Sequence, residues 1–135
     1  MVGSQVNLFN FGGEKVILDR TKNEWQKIKN RLDAEAACPI GLLYKTSFTP
    51  LDDHQVLAIG YEDNGFGNPE LMVWDNNDGS QARIYKIDFN GDALEVDKFT
   101  ISNKDKSLTH QDGSSIKGFF LENYSHVQPP VELKI

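Results

Sequence analysis

The pattern of apolar and polar positions predicts an amphipathic helix near the start of the chain. Thr21 and Glu24 have the spacing of a capping box, in which each side chain bonds a free backbone amide at a helix N-terminus. Four apolar residues recur at helical spacing on one face: Trp25, Ile28, Leu32 and Ala36. Pro39 cannot continue this helix. The pattern therefore predicts a helix over residues 22–36 that packs on a sheet through Trp25.

Short apolar runs separated by turn residues predict strands over most of the remaining chain. The predicted strands cover residues 40–44, 54–61, 70–75, 82–89, 93–97 and 116–121. Asn90 and Gly91 form a dipeptide typical of two-residue hairpins, whereas residues 102–115 are polar and predict a surface loop. The predicted fold class is therefore α+β, an antiparallel sheet of about six strands, partly barrel-like, with the amphipathic helix packed on it.

The same pattern predicts a single domain over residues 1–135. Short apolar pieces separated by Gly12 and Gly13 predict an N-terminal arm or hairpin over residues 1–20. The helix follows and, with its capping residue Thr21 included, covers residues 21–36. The predicted sheet covers residues 39–121, and Pro129 and Pro130 predict an extended tail over residues 122–135. A chain of this length can bury one apolar core.

Composition narrows the partners that we expect for this chain. The net charge of −6 and the sequence pI of about 5.0 argue against nucleic acid, because binding to phosphates needs a basic face. No apolar run reaches the ~20 residues that a membrane-spanning helix needs, and the N-terminus lacks the regions of a signal peptide. Cys38 is the only cysteine, so it cannot form an internal disulfide. We expect a soluble protein with no membrane partner, and the cytoplasm is favoured.

The most informative polar residues are His54, which opens one predicted strand, and Asp75, which closes the next. If these strands form an antiparallel hairpin across residues 62–69, Asp75 faces Val56 and lies within two residues of His54. A carboxylate that holds a histidine ring is the base-and-orienter half of a nucleophilic hydrolase. The structural alternative is that both are ordinary polar residues at strand ends, where Asp and Asn make turns.

Two other features are candidate sites. Residues 75–80 resemble the start of a calcium loop, but the glycine comes one place early and Lys86 stands where a bidentate glutamate is needed. We therefore predict no metal and no cofactor. Phe66 lies at the tip of the predicted hairpin, where an exposed aromatic side chain would contact a partner. The alternative is that Phe66 folds back on the sheet.

Several motifs follow one another along the chain. They are the helix with Trp25, Ile28 and Leu32, the strand C-P-I-G-L-L at 38–43, H-Q-V-L-A-I-G-Y at 54–61, V-W-D-N-N at 73–77 and K-G-F-F at 117–120. In this order they resemble the C-terminal, β-sheet half of the papain-like cysteine peptidases, in particular the bacterial and fungal domains similar to the C39 peptidases. The resemblance covers roughly residues 24–120.

This resemblance implies that His54 matches a catalytic histidine and Asp75 the residue that orients it. The nucleophilic cysteine of that family lies upstream at the start of a helix, and this sequence has no cysteine there. Asn77 stands near the asparagine of the family's Asp-Pro-Asn motif. Cys38 is not expected to replace the missing nucleophile, because the predicted pairing puts it opposite Tyr61, more than ~20 Å from His54.

Three functions follow from these observations. The first is a non-catalytic binding or interaction module, in which Gln55, Trp74, Asn77 and Phe66 bind a protein or peptide around His54 and Asp75. The second is half of a hydrolase, whose histidine and aspartate serve a cysteine supplied by another chain. The third is a small-ligand β-barrel with an aromatic lining made of Tyr44, Trp74, Tyr85 and Phe89. Because half of a peptidase fold would expose apolar surface, we expect a homo-oligomer or another protein partner.

Overall fold

The computed structural model describes residues 13–44, 54–75 and 81–122, and its first element is a long helix. Helix α1 covers Glu14–Asp33. The predicted start near Lys22 is wrong, and so is the predicted arm over residues 14–20, because Leu18 and Thr21 continue the buried face towards the N-terminus. Thr21 is therefore buried within the helix and does not cap it. The rest of the predicted arm lies outside the described residues.

Helix α1 ends three residues before the predicted Ala36. After Asp33, the backbone amides of Ala34 and Glu35 bond the carbonyls of the last turn. Glu35 has a φ of 61°, a left-handed conformation that turns the chain out of the helix. The chain is thus free to enter the first strand directly.

Seven strands follow the helix and form one antiparallel sheet. They are β1 (Cys38–Tyr44), β2 (His54–Glu62), β3 (Glu70–Asp75), β4 (Gln81–Asp88), β5 (Glu95–Ile101), β6 (Leu108–Gln111) and β7 (Ile116–Leu121). Their order across the sheet is β6-β5-β4-β3-β2-β1-β7. The sheet is not closed. The predicted α+β class, with an N-terminal helix packed on an antiparallel sheet, is confirmed.

Strand β6 lies within residues 102–115, which the sequence pattern predicted as a loop. It pairs with β5, where Leu108 faces Ile101. The pattern missed it because an edge strand exposes most of its side chains and needs no apolar alternation. Strand β5 itself continues past the predicted end at Asp97. The β4–β5 connection covers residues 89–94, so Asn90 and Gly91 belong to a longer loop than the predicted two-residue hairpin.

The core lies on one face of the sheet, which we call the inner face, and α1 covers part of it by packing on β7, β2 and β1. It includes Leu18 and Ile28 from the helix and Ile40, Leu42, Val56, Ala58, Leu71, Val73, Tyr85, Ile87 and Phe119 from the strands. Trp25 packs as predicted, with its ring centroid 6.3 Å from that of Phe119 and 5.6 Å from that of Tyr61. Its Nε1 donates a hydrogen bond to Asp63 Oδ2 over 3.0 Å. Trp25 therefore packs in the core and also fixes the β2–β3 connection through Asp63.

The helix also covers the outer edge of β7. Glu24 Oε1 accepts a hydrogen bond from the Leu121 amide over 2.9 Å. Gly118 lets the helix approach, because a Cβ at that position would lie 2.8 Å from Ile17 Cγ2. Among the residues that the structure describes, no helix is both long enough and apolar enough to cross a membrane. The predicted tail lies outside the described residues beyond Glu122.

Candidate functional site

His54 and Asp75 meet at one end of the inner face. The β2–β3 register has the predicted alignment, with Leu57 opposite Trp74 and Ala58 opposite Val73. His54 Nε2 lies 3.0 Å from Asp75 Oδ1. Because an ionised carboxylate only accepts, the ring is the donor and bonds Asp75 through Nε2–H. The predicted proximity of the two side chains is therefore observed, while their function stays a prediction.

Arg83 completes this cluster and was not predicted. It lies on β4 opposite Val73, and its Nε is 3.4 Å from Asp75 Oδ2. Its Nη1 donates to Thr100 Oγ1 over 2.7 Å and to the side-chain oxygen of Gln111. Arg83 is 1% exposed and Asp75 is 4% exposed, so this is a buried ion pair with further hydrogen bonds. One arginine thus links strands β3, β4, β5 and β6.

Two tyrosines surround the cluster. The ring centroid of Tyr44 lies 6.4 Å from that of His54. Burial raises the pKa of Tyr85, and the nearby negative charge of Asp75 raises it further, so the phenol stays neutral. Tyr85 and Trp74 lie on opposite faces of the sheet. The four aromatic residues proposed for a small-ligand barrel therefore do not line one cavity.

Cys38 lies on the same inner face but at the other end of β1. Its register partner is Ala58 and not Tyr61 as predicted, whereas His54 faces Leu42. Four residues along β1 separate Cys38 from that pair, a distance of ~13 Å instead of the predicted ~20 Å. The thiol is buried, and burial raises its pKa, an effect that the positive charge of Arg31 reduces. Cys38 therefore lacks both the position and the thiolate character of a nucleophile for His54.

The other predicted binding residues do not join His54 and Asp75. Gln55 directly follows His54 in β2, and Trp74 directly precedes Asp75 in β3. Both side chains therefore point to the opposite face of the sheet, which we call the outer face. Gln55 hydrogen-bonds the carboxyl of Glu122, whose pKa burial raises. Asn77 lies outside the described residues. The structure therefore divides the predicted site into an inner polar cluster and an outer surface.

The outer surface is apolar where β2, β3 and β4 lie side by side. We call it the apolar patch, and it consists of Leu57, Ile59, Met72, Trp74 and Ile84. Leu57 and Trp74 are each 37% exposed and Ile59 is 41% exposed. Trp74 faces Leu57, and Met72 faces Ile84, so these side chains are neighbours on one face. Alternation along the strands could have revealed this patch, because its members alternate with buried residues.

Phe66 stands apart from the patch, on the β2–β3 connection. It is 77% exposed, so it does not fold back on the sheet. The connection is held by Asp63, which accepts from Trp25 and Lys29, and by Asn90, which donates to the Phe66 carbonyl. The Lys29 bond, followed by the Trp25 bond, lowers the pKa of Asp63 to about 2. An exposed aromatic side chain is therefore presented on a well-bonded loop.

Among the described residues, no group of three or more His, Cys, Asp and Glu side chains is arranged to hold a metal ion. Comparison of the chain with models of protein families, with curated proteins and with solved structures finds no match.

Proposed function

We propose that this chain is a binding module that uses the apolar patch to bind a protein or peptide partner. The proposal rests on one observation, the exposure of Leu57, Ile59 and Trp74 on two neighbouring strands. Single exposed apolar residues are common on soluble proteins, but adjacent ones on one sheet face mark contact surfaces. A partner that covered each of these side chains would gain about 1 kcal/mol from each, because a little over a third of each one is exposed.

The inner cluster supports a binding module over an enzyme for this chain alone. Both oxygens of the Asp75 carboxylate are used, one with His54 and the other with Arg83. The only cysteine of the sequence is buried at the far end of β1. The cluster links four strands beneath the patch and so fixes the backbone on which Trp74 stands. A rigid surface loses little entropy on binding.

A neutral peptide in which leucine alternates with serine tests the proposed function. Added to the ¹⁵N-labelled chain, it should shift the amide signals of β2 and β3 in a saturable way. Trp74→Gln should weaken this binding about fivefold, because it removes about 1 kcal/mol of apolar contact. Leu108→Gln is the matched control, since Leu108 is similarly exposed but lies on the edge strand. Shifts that are absent, or that Trp74→Gln leaves unchanged, would contradict the proposal.

The partner can also be a second copy of the chain, as the expected homo-oligomer implies. Sedimentation equilibrium of the unmodified chain and of Trp74→Gln separates the two cases. A dimer that dissociates in the variant would identify the patch as the interface between copies. A monomer at all concentrations would assign the patch to a different protein.

One observation favours a second candidate, half of a hydrolase. His54 and Asp75 are 3.0 Å apart, in the arrangement of a general base and its orienting carboxylate. The resemblance to C39-like cysteine peptidases assigns the same two roles. In this candidate a thiol supplied by another chain attacks an acyl carbon. Its proton passes to the ring of His54 as the new carbon–sulfur bond forms, and the ring then gives the proton to the leaving nitrogen or oxygen as the bond from that atom to the acyl carbon breaks.

An added small thiol tests this second candidate. With 2-mercaptoethanol and a nitrophenyl ester, the thiolate displaces nitrophenolate, and water then hydrolyses the thioester. A functional base should accelerate nitrophenolate release at neutral pH, and His54→Gln should abolish the acceleration. Asp75→Asn should reduce it, because the ring loses its orienting carboxylate. Equal rates with the unmodified chain and His54→Gln would contradict the candidate.

A further inference from the structure

The apolar patch borders a row of charged side chains on the outer face. Within the sheet, Met72 faces Ile84, and two residues further along the same strands Glu70 faces Lys86. Lys86 in turn faces Asp97 on β5. Since side chains two residues apart in a strand share a face, this charged row lies ~7 Å from the apolar row. The patch therefore continues into this charged row without a change of face.

A groove lined in part by this row has a volume of about 620 Å³ and contains more acidic than basic side chains. Four carboxylates line it, Glu70, Asp88, Glu95 and Asp97, together with Lys86 and Lys117. Its apolar lining includes Ile87 and Val96, which alternate with the charged residues and lie on the inner face, and the groove reaches the outer face at Glu70, Lys86 and Asp97. We call this the acidic groove.

The two lysines do not balance the four carboxylates. Lys86 Nζ lies 3.9 Å from Glu70 and 5.0 Å from the centroid of the Phe99 ring. Lys117 Nζ lies 3.8 Å from Glu14, which is on helix α1 and not in the groove. Glu95 is exposed, and Asp97 has only His110 as an ion-pair partner among the described residues. The groove therefore has an excess of negative charge.

Resting on the proposed function, we propose that patch and groove together bind one extended segment of a protein partner in which basic side chains alternate with apolar ones. From Trp74 to Glu70 is four residues along β3, or ~13 Å. An extended segment of about five residues spans this distance. Its apolar side chains cover Trp74 and Leu57, while a lysine or arginine reaches Glu95 or Asp97. Charge complementarity then fixes the direction in which the segment binds and selects a partner with basic side chains.

Three peptides with the same leucines test this proposal. Leucine alternates with serine in the first, with lysine in the second and with glutamate in the third. At low salt the lysine peptide should bind about tenfold tighter than the glutamate peptide, from several partly exposed charge pairs. The preference should shrink at high salt, because exposed charges are screened. Amide shifts should cover both the patch and Glu95 to Asp97.

A matched pair of variants separates a specific groove from general attraction to an acidic protein. Glu95→Lys with Asp97→Lys should remove the preference for the lysine peptide, whereas Asp19→Lys with Glu35→Lys makes the same change in net charge elsewhere and should keep it. An equal loss of preference in both variants would overturn the proposal. If the serine peptide binds the patch and all three peptides bind equally, the groove proposal fails and the proposed function stands. If the serine peptide does not bind, the proposed function itself fails.

Discussion

Replacing Arg83 with methionine should destabilise the fold more than any surface change. Methionine has a similar length but no charge, so the buried carboxylate of Asp75 loses its ion pair with Arg83. Breaking a buried ion pair from one side typically costs about 3–5 kcal/mol. The total stability of such a domain is about 5–15 kcal/mol. Arg83→Met should therefore remove a large fraction of the stability and lower the melting temperature by about 12–20 °C.

Urea unfolding followed by circular dichroism measures this loss. Lys86→Met is the matched control, because Lys86 lies on the same strand but its contact with Glu70 is 3.9 Å long and both side chains are largely exposed. That variant should lose less than about 1 kcal/mol. Similar losses in the two variants would refute the buried ion pair.

The double variant Asp75→Asn with Arg83→Met isolates the charge. It should be more stable than Arg83→Met alone, because the uncompensated carboxylate is gone while the amide still bonds His54. If the double variant loses as much stability as Arg83→Met and Asp75→Asn lose together when measured separately, the arginine stabilises the fold by packing and not by neutralising Asp75.

Three further predictions concern positions outside the cluster. The bond to Lys29 lowers the pKa of Asp63 to about 2, from an ordinary value of 3.8, so its stabilisation is complete above about pH 4 and is lost as the pH falls towards 2. The difference in unfolding free energy between the unmodified chain and Asp63→Asn should disappear over that range. Gly67→Ala should cost about 1–2 kcal/mol by thermal unfolding, because its φ is +89°, whereas Gly60→Ala, into open space, should change stability by less than about 0.5 kcal/mol. Cys38 should react with a thiol reagent only as fast as the chain unfolds, since it is buried, and rapid labelling of the folded chain would contradict this position.

The contact between His54 and Asp75 could be predicted because it depends on short-range geometry. A loop of known length between two alternating strands fixes their register, and register fixes which side chains meet. Arg83 could not be found in the same way. Its partners Thr100 and Gln111 lie on strands β5 and β6, and the second of these strands has no apolar alternation. Because β6 was not predicted, the contact between Arg83 and Gln111 on that strand could not be predicted either.

The start of the helix and the grouping of the site were predicted wrongly for local reasons. Thr21 and Glu24 have capping-box spacing, but burial of Leu18 on the same face favours extending the helix past them. Trp74 and Asp75 were grouped because they are adjacent in sequence. Adjacent residues in a strand point to opposite faces, so adjacency itself separates their side chains.

The hydrogen bond from the Leu121 amide to Glu24 protects one edge of the sheet against the addition of strands from other chains. An open sheet exposes backbone donors at its two outer strands, where a further chain can add as an extra strand. At β7 the helix side chain already accepts such a donor, and at β6 the edge is only four residues long. Glu24→Ala should thus leave the folded chain nearly as stable but make concentrated samples form fibrils sooner.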